Sequence, residues 1–123
     1  MLGEEISMDP KSKNSGRLVM AGNAIGNPLD IPLRSLELVR TADLLIFEEH
    51  KIARQILKAA GVTRDYMQYS EHEEKGSLEE VAAALKAGKT VLYMSDQGMP
   101  NFADPGRGLL KIAYKVGSDV QVI

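Results

Sequence analysis

The sequence predicts an α/β fold: a five-stranded, mainly parallel sheet with helices on both faces. Three observations carry this. Short apolar runs alternate strictly with helix-period segments from Arg17 onward, the pattern of right-handed βαβ crossovers. Helix punctuation, a proline at one start and glycines at several ends, falls between the runs. Two loops rich in glycine and proline directly follow apolar runs, and open α/β sheets hold ligands outside the carboxyl ends of their strands.

The elements follow in order. Met1 to Gly16 is polar, poor in aromatics and carries Pro10, Asn14, Ser15 and Gly16, so it reads as a disordered, solvated leader. Folding is expected to start at Arg17, with residues 17 to 123 forming one domain. Leu18-Val19-Met20-Ala21 is the first strand. Ile31 to Arg40 is the first helix, with Asp30 as its cap and Pro32 in its opening turn. Leu36, Val39 and Arg40 fall on one face at i, i+3, i+4, the stripe a sheet-covering helix needs. Leu44-Leu45-Ile46-Phe47 is the second strand, followed by a helix from Lys51 to Ala60 that Gly61 ends. Tyr66-Met67-Gln68-Tyr69 is the third strand. The third helix, Leu78 to Ala87, is opened by the capping box Ser77-x-x-Glu80, buries Val81, Ala82 and Leu85, and is closed by Gly88. Val91-Leu92-Tyr93-Met94 is the fourth strand, Gly108 to Val116 the fourth helix, and Val120-Gln121-Val122-Ile123 the last strand. Nothing follows to cover that last strand, so it is either a sheet edge or the point where a further domain is missing.

Bulk composition narrows the function classes. A length of 123 residues suits one domain with a real core. Lys+Arg 15 against Asp+Glu 17 leaves a net charge of −2, so contact with a polyanion must use a local patch. The absence of cysteine excludes disulfides and thiolate metal sites. No segment approaches the ~20 apolar residues of a membrane span, and the amino terminus lacks a signal-peptide core. A cytoplasmic protein with no membrane partner is expected.

Two loops and two acidic clusters are the candidates for chemistry. Gly22-Asn23-Ala24-Ile25-Gly26-Asn27-Pro28-Leu29-Asp30 lets backbone approach a ligand ahead of a helix amino terminus, although a plain βα turn explains it equally well. Its glycine spacing is not the G-x-G-x-x-G dinucleotide fingerprint. The stretch from Ser95 to Gly106 exceeds the ~2–6 residues of most βα connections, and long loops tend to be functional. Asp104-Pro105-Gly106 forms a turn and caps the last helix, which leaves the first half of the loop for a ligand. Glu48-Glu49-His50 ends the second strand and Glu71-His72-Glu73-Glu74 ends the third. Carboxylates and imidazoles ligate metals only where they converge in space, and acidic loops with one histidine are usually solvated, so no metal is assigned.

These motifs resemble those of the tetrapyrrole (corrin/porphyrin) methylases, a family of S-adenosylmethionine-dependent methyltransferases. The likeness runs from Leu18 to Ile123 and is nearest to the branch that methylates a ribose 2′-hydroxyl in small-subunit ribosomal RNA. That branch reads T-P-I-G-N-x-x-D-I-T-L-R-A-L after the first strand, E-D-T-R after the second and S-D-A-G-T-P-G-I-S-D-P-G after the fourth. Here Asn23 to Leu36, Glu48-Glu49-His50-Lys51 and Ser95 to Gly106 occupy those slots. Asn23-Ala24 stands for Thr-Pro, Glu49-His50-Lys51 for Asp-Thr-Arg, and Gln97, Met99 and Asn101 for Ala, Thr and Gly.

The resemblance implies the amino-terminal domain of a two-domain enzyme, commonly a homodimer, with S-adenosylmethionine in the cleft between domains. The second domain is then absent from this chain and would begin just after Ile123. By the family's pattern Ile25, Gly26, Ser95, Asp96, Gln97, Gly98 and Pro100 contact the cofactor. A ribose hydroxyl must lose its proton during attack, and a carboxylate at a strand's carboxyl end, Glu48 or Asp96, is the acceptor. Glu48 matches the slot of a proton-accepting acid in some porphyrinogen-methylating relatives and is the assigned catalytic residue.

Two alternatives stay open. The substrate is a tetrapyrrole or other small heterocycle instead of ribosomal RNA, or the chain is a non-catalytic module that binds a nucleotide or S-adenosylmethionine. A phospho-accepting signalling domain, also five βα units, is excluded because it needs paired acids after the first strand, where this chain has Gly22-Asn23-Ala24.

Overall fold

The computed structural model describes residues 16–22, 31–68, 74–95 and 106–123. In chain order the elements are β1 (Arg17–Gly22), α1 (Leu33–Thr41), β2 (Leu44–Phe47), α2 (His50–Ala60), β3 (Met67–Gln68), α3 (Glu74–Lys86), β4 (Thr90–Ser95), α4 (Gly106–Val116) and β5 (Asp119–Val122). The strands form one sheet in the order β3-β2-β4-β1-β5, and every pairing is parallel. The α/β architecture with a parallel sheet is therefore as the sequence predicts.

Near-continuous apolar runs in the inner strands are what a sheet covered on both faces requires. β4 lies at the centre, and Val91, Leu92, Tyr93 and Met94 are all buried. Their side chains alternate between two cores. Val19, Ala21, Leu45, Phe47, Leu92 and Met94 pack against Leu38 and Val39 of α1 and Ala53, Ile56 and Leu57 of α2. Leu18, Met20, Ile46, Val91 and Tyr93 pack against Val81 and Leu85 of α3 and Leu109 and Ala113 of α4.

The strand order explains that division. From β1 the chain crosses to β2 and then to the β3 edge; from β3 it reverses to β4 and then to the β5 edge. Right-handed crossovers running in opposite directions place their helices on opposite faces. β4 therefore stands between two strands, β1 and β2, whose outgoing helices cover the face opposite to its own. Such reversals open a crevice at the carboxyl ends of the strands.

Several expected boundaries move. α1 has Pro32 as its N-cap with no side-chain cap bond, so Pro32 precedes the helix instead of sitting in its first turn. Asp30 lies outside the described residues. The buried face of α1 is Ser35, Leu38 and Val39, with Leu36 partly buried, and Arg40 is exposed. Arg40 nonetheless supports the fold, because its Nε donates to the Ala60 carbonyl at 2.8 Å and satisfies an orphan acceptor in the last turn of α2. α3 begins at Glu74, so Ser77-x-x-Glu80 lies within the helix and does not open it. Glu and Lys at its start are good helix formers and carry the helix upstream of the serine. α4 begins at Gly106 and β5 runs from Asp119 to Val122, one residue earlier than its apolar pattern suggests.

Gly16 also belongs to the fold and not to a leader. It is buried, its N–H donates to the Leu85 carbonyl at 2.9 Å, and its carbonyl accepts from the Asp119 N–H at 3.2 Å. The other leader residues, 1–15, lie outside the described set. α2 ends as expected on Gly61, whose φ of 74° is the left-handed conformation that lets its N–H return to the Leu57 and Lys58 carbonyls. β5 is a sheet edge. Among the described residues no helix is long and apolar enough to cross a membrane.

Candidate active site

The register brings the carboxyl ends of four strands into one row. Gln68 of β3 pairs with Phe47 of β2, Phe47 pairs with Met94 of β4, and Ser95 of β4 pairs with Gly22 of β1. Glu48 follows Phe47 directly and so stands next to Ser95. The row unites residues that are far apart in sequence, because parallel strands entered by crossover helices all end on the same side.

Glu48 is held from two directions. Strand alternation places its side chain on the same face as that of Ile46, the α3/α4 face, and there its Oε2 accepts a hydrogen bond from the Tyr93 hydroxyl. Gln68 Nε2 donates to the Glu48 main-chain carbonyl at 3.2 Å. The carboxylate is half-buried, whereas Tyr93 is only 2% exposed. A buried phenol needs an acceptor, and Glu48 supplies one at the boundary of the core.

Glu49 and His50 diverge from Glu48 because α2 begins there. Glu49 is the N-cap, exposed and extended, and His50 is the first helical residue. His50 Nδ1 lies 2.7 Å from the Tyr66 hydroxyl, and Tyr66 meets Phe47 edge-on with ring centroids 5.4 Å apart. These aromatic contacts lie on the α1/α2 face, opposite the Glu48 carboxylate. Among the described residues there is no group of three or more His, Asp and Glu side chains placed to hold a metal. Glu71, His72 and Glu73 lie outside the described residues.

Of the assigned cofactor residues, Ser95 is described: it ends β4, is 8% exposed and lies beside Gly22. Ile25, Gly26, Asp96, Gln97, Gly98 and Pro100 lie outside the described residues. The two loops that contain them leave adjacent strands at the same edge. In the sequence, Tyr93 and Gln68 read only as strand formers. Their signal is nonetheless present, a hydroxyl and an amide near the carboxyl ends of otherwise apolar strands. A separate cavity of about 530 Å³, lined by Asp43, Arg64, Asp65 and Glu80 among others, lies at the amino end of β2, and among the described residues none of the assigned ones lines it.

A family model described as Tetrapyrrole (Corrin/Porphyrin) Methylases matches residues 17–123. The chain belongs to this family. Among curated proteins, this methylase domain is 32% identical over 108 residues to the ribosomal RNA small subunit methyltransferase I of Thermotoga maritima, covering 88% of the chain and 49% of that protein. It is 27% identical over 120 residues to the protein of the same name in Bacillus subtilis, covering 98% of the chain and 41% of that protein. The domain thus spans half or less of the length of these relatives. Among solved structures, uroporphyrin-III-C-methyltransferase from Thermus thermophilus superposes with a TM-score of 0.67 at 16% identity, over 88% of the chain and 46% of that chain. That likeness concerns the fold and agrees with the parallel sheet described above.

Proposed function

We propose that this domain is the amino-terminal half of an S-adenosylmethionine-dependent methyltransferase that methylates a ribose 2′-hydroxyl of small-subunit ribosomal RNA. The observation that carries the reading is the row at the carboxyl edge. A carboxylate at the end of β2 stands next to the paired ends of β1 and β4, after which the two glycine- and proline-bearing stretches of sequence follow. The names of the curated relatives support the choice of substrate.

The residues present suit the cofactor. Gly22 has no side chain and pairs with Ser95, whose side chain is small and 8% exposed, so the two strand ends put little side-chain bulk at the edge where a nucleoside-sized ligand would sit. Ser95 would hold it together with Ile25, Gly26, Asp96, Gln97, Gly98 and Pro100. When bound, S-adenosylmethionine supplies the methyl group as a sulfonium electrophile. This chain's part would be alignment of the reacting groups. The Glu48 carboxylate would accept the 2′-hydroxyl proton. The complete protein is expected to act as a cytoplasmic homodimer.

Steady-state kinetics on the complete protein with small ribosomal subunits test this reading. Glu48→Gln should lower kcat by ~10²-fold or more with little change in the KM for S-adenosylmethionine, whereas Asp96→Ala should raise that KM. Full kcat in Glu48→Gln would remove Glu48 from the chemistry. Transfer to a tetrapyrrole and not to RNA would reassign the substrate.

A further inference from the structure

We propose that Tyr93 is a positioning residue that holds the Glu48 carboxylate in its reactive orientation. The inference rests on the reading of Glu48 as proton acceptor and adds to it a residue from the centre of the sheet.

The geometry starts from register. Tyr93 of β4 pairs with Ile46 of β2, and both side chains lie in the α3/α4 core. Glu48 is two residues beyond Ile46, roughly 6.6 Å farther along the strand. A tyrosine ring spans about that distance, so its hydroxyl leaves the core just where the Glu48 carboxylate begins, and the two are hydrogen-bonded. An aliphatic side chain at residue 93 would fill the same core without reaching the edge.

The consequence for Glu48 is a restricted side chain. Glutamate has three side-chain torsions, and an unrestrained carboxylate at a strand end samples many directions. The Tyr93 ring is itself immobilised by packing between β4, α3 and α4, so its O–H is a fixed point for Oε2. Gln68 fixes the same residue through its main-chain carbonyl. Side chain and backbone are thus anchored by two neighbouring strands before substrate arrives, which is the preorganisation that a proton acceptor in an aligned displacement requires.

The test uses the complete protein with Tyr93→Phe, Glu48→Gln and the double variant. Phenylalanine keeps the ring and the packing and removes only the hydroxyl. Tyr93→Phe should lower kcat roughly tenfold, the loss of one charge-assisted hydrogen bond, and leave the KM for S-adenosylmethionine and the affinity for S-adenosylhomocysteine unchanged. In the double variant kcat should equal that of Glu48→Gln alone, because the hydroxyl acts only through the carboxylate. The ¹³C resonance of the Glu48 carboxyl should also move in Tyr93→Phe. If Glu48→Gln lowers kcat while Tyr93→Phe lowers only the melting temperature, Tyr93 is structural and the proposal falls. Independent effects that multiply in the double variant overturn it as well. If Glu48→Gln keeps full kcat, the reading of Glu48 itself fails and takes the positioning role with it, a result separable from the other two.

Discussion

Gly16 shows how much one residue without a side chain can hold together. It lies where the start of β1 passes the end of α3, and it bonds to Leu85 on one side and to Asp119 on the other. A Cβ at this position would sit 2.4 Å from the Lys89 carbonyl oxygen and 2.7 Å from that of Leu85. Both obstacles are main chain, so no side chain can swing aside. Gly16→Ala should therefore cost about 2 kcal/mol or more, as overpacking against fixed atoms does. Gly61→Ala meets nothing within 4 Å and is strained only by its φ of 74°, so it should cost about 1 kcal/mol. Urea denaturation of the two variants measures the difference, and the reverse order would contradict the close approach at Gly16. The sequence shows glycine, serine and asparagine there and reads as a leader. A close approach of two backbones separated by about seventy residues leaves no local mark.

Helix starts were the least legible elements, and capping explains why. Neither α1 nor α2 has a side-chain cap bond, and neither has an acidic residue in its first turn. Pro32 marks the start of α1 to within one residue, but no capping side chain marks the start of either helix, whereas Ser77 offers a false start inside α3. Helix ends were legible because a left-handed glycine, as at Gly61, is a strong local requirement. The missing cap on α2 makes a stability prediction. Glu49 is exposed and already extended, with φ −135° and ψ 140°, so a serine there can accept a bond from the first turn without backbone movement. Glu49→Ser should stabilise the fold by about 0.5–1 kcal/mol and raise the melting temperature. An unchanged or lower melting temperature would show that the first turn of α2 finds its partners elsewhere.

At the scale of the molecule, the paired ends of β1 and β4 would form one wall of the proposed cleft, and the domain covers half or less of the relatives it matches. A ligand gripped from one side keeps much of its surface in water. This chain by itself should bind S-adenosylhomocysteine no more tightly than roughly tens of micromolar, about −6 kcal/mol, and should not methylate ribosomal RNA. Isothermal calorimetry and a methyl-transfer assay on the chain check both points. Submicromolar binding or turnover would mean that the proposed cleft is complete within these residues.

Fold class, the five described strands and the family are legible in the residues alone. These follow from local quantities: apolar runs for strands, helical periodicity, glycines at helix ends and short motifs in fixed order. The sequence also marked Glu48 and Ser95 as strand-end residues. The strand order, the place of Gly16 and the joining of Tyr93 and Gln68 to Glu48 come from the folded chain. Register and reversal of direction depend on how helices pack across a finished sheet, and the bond from Tyr93 to Glu48 spans 45 residues of chain. Periodicity records which face a side chain takes, but the strand beside it is fixed by packing that no local pattern encodes.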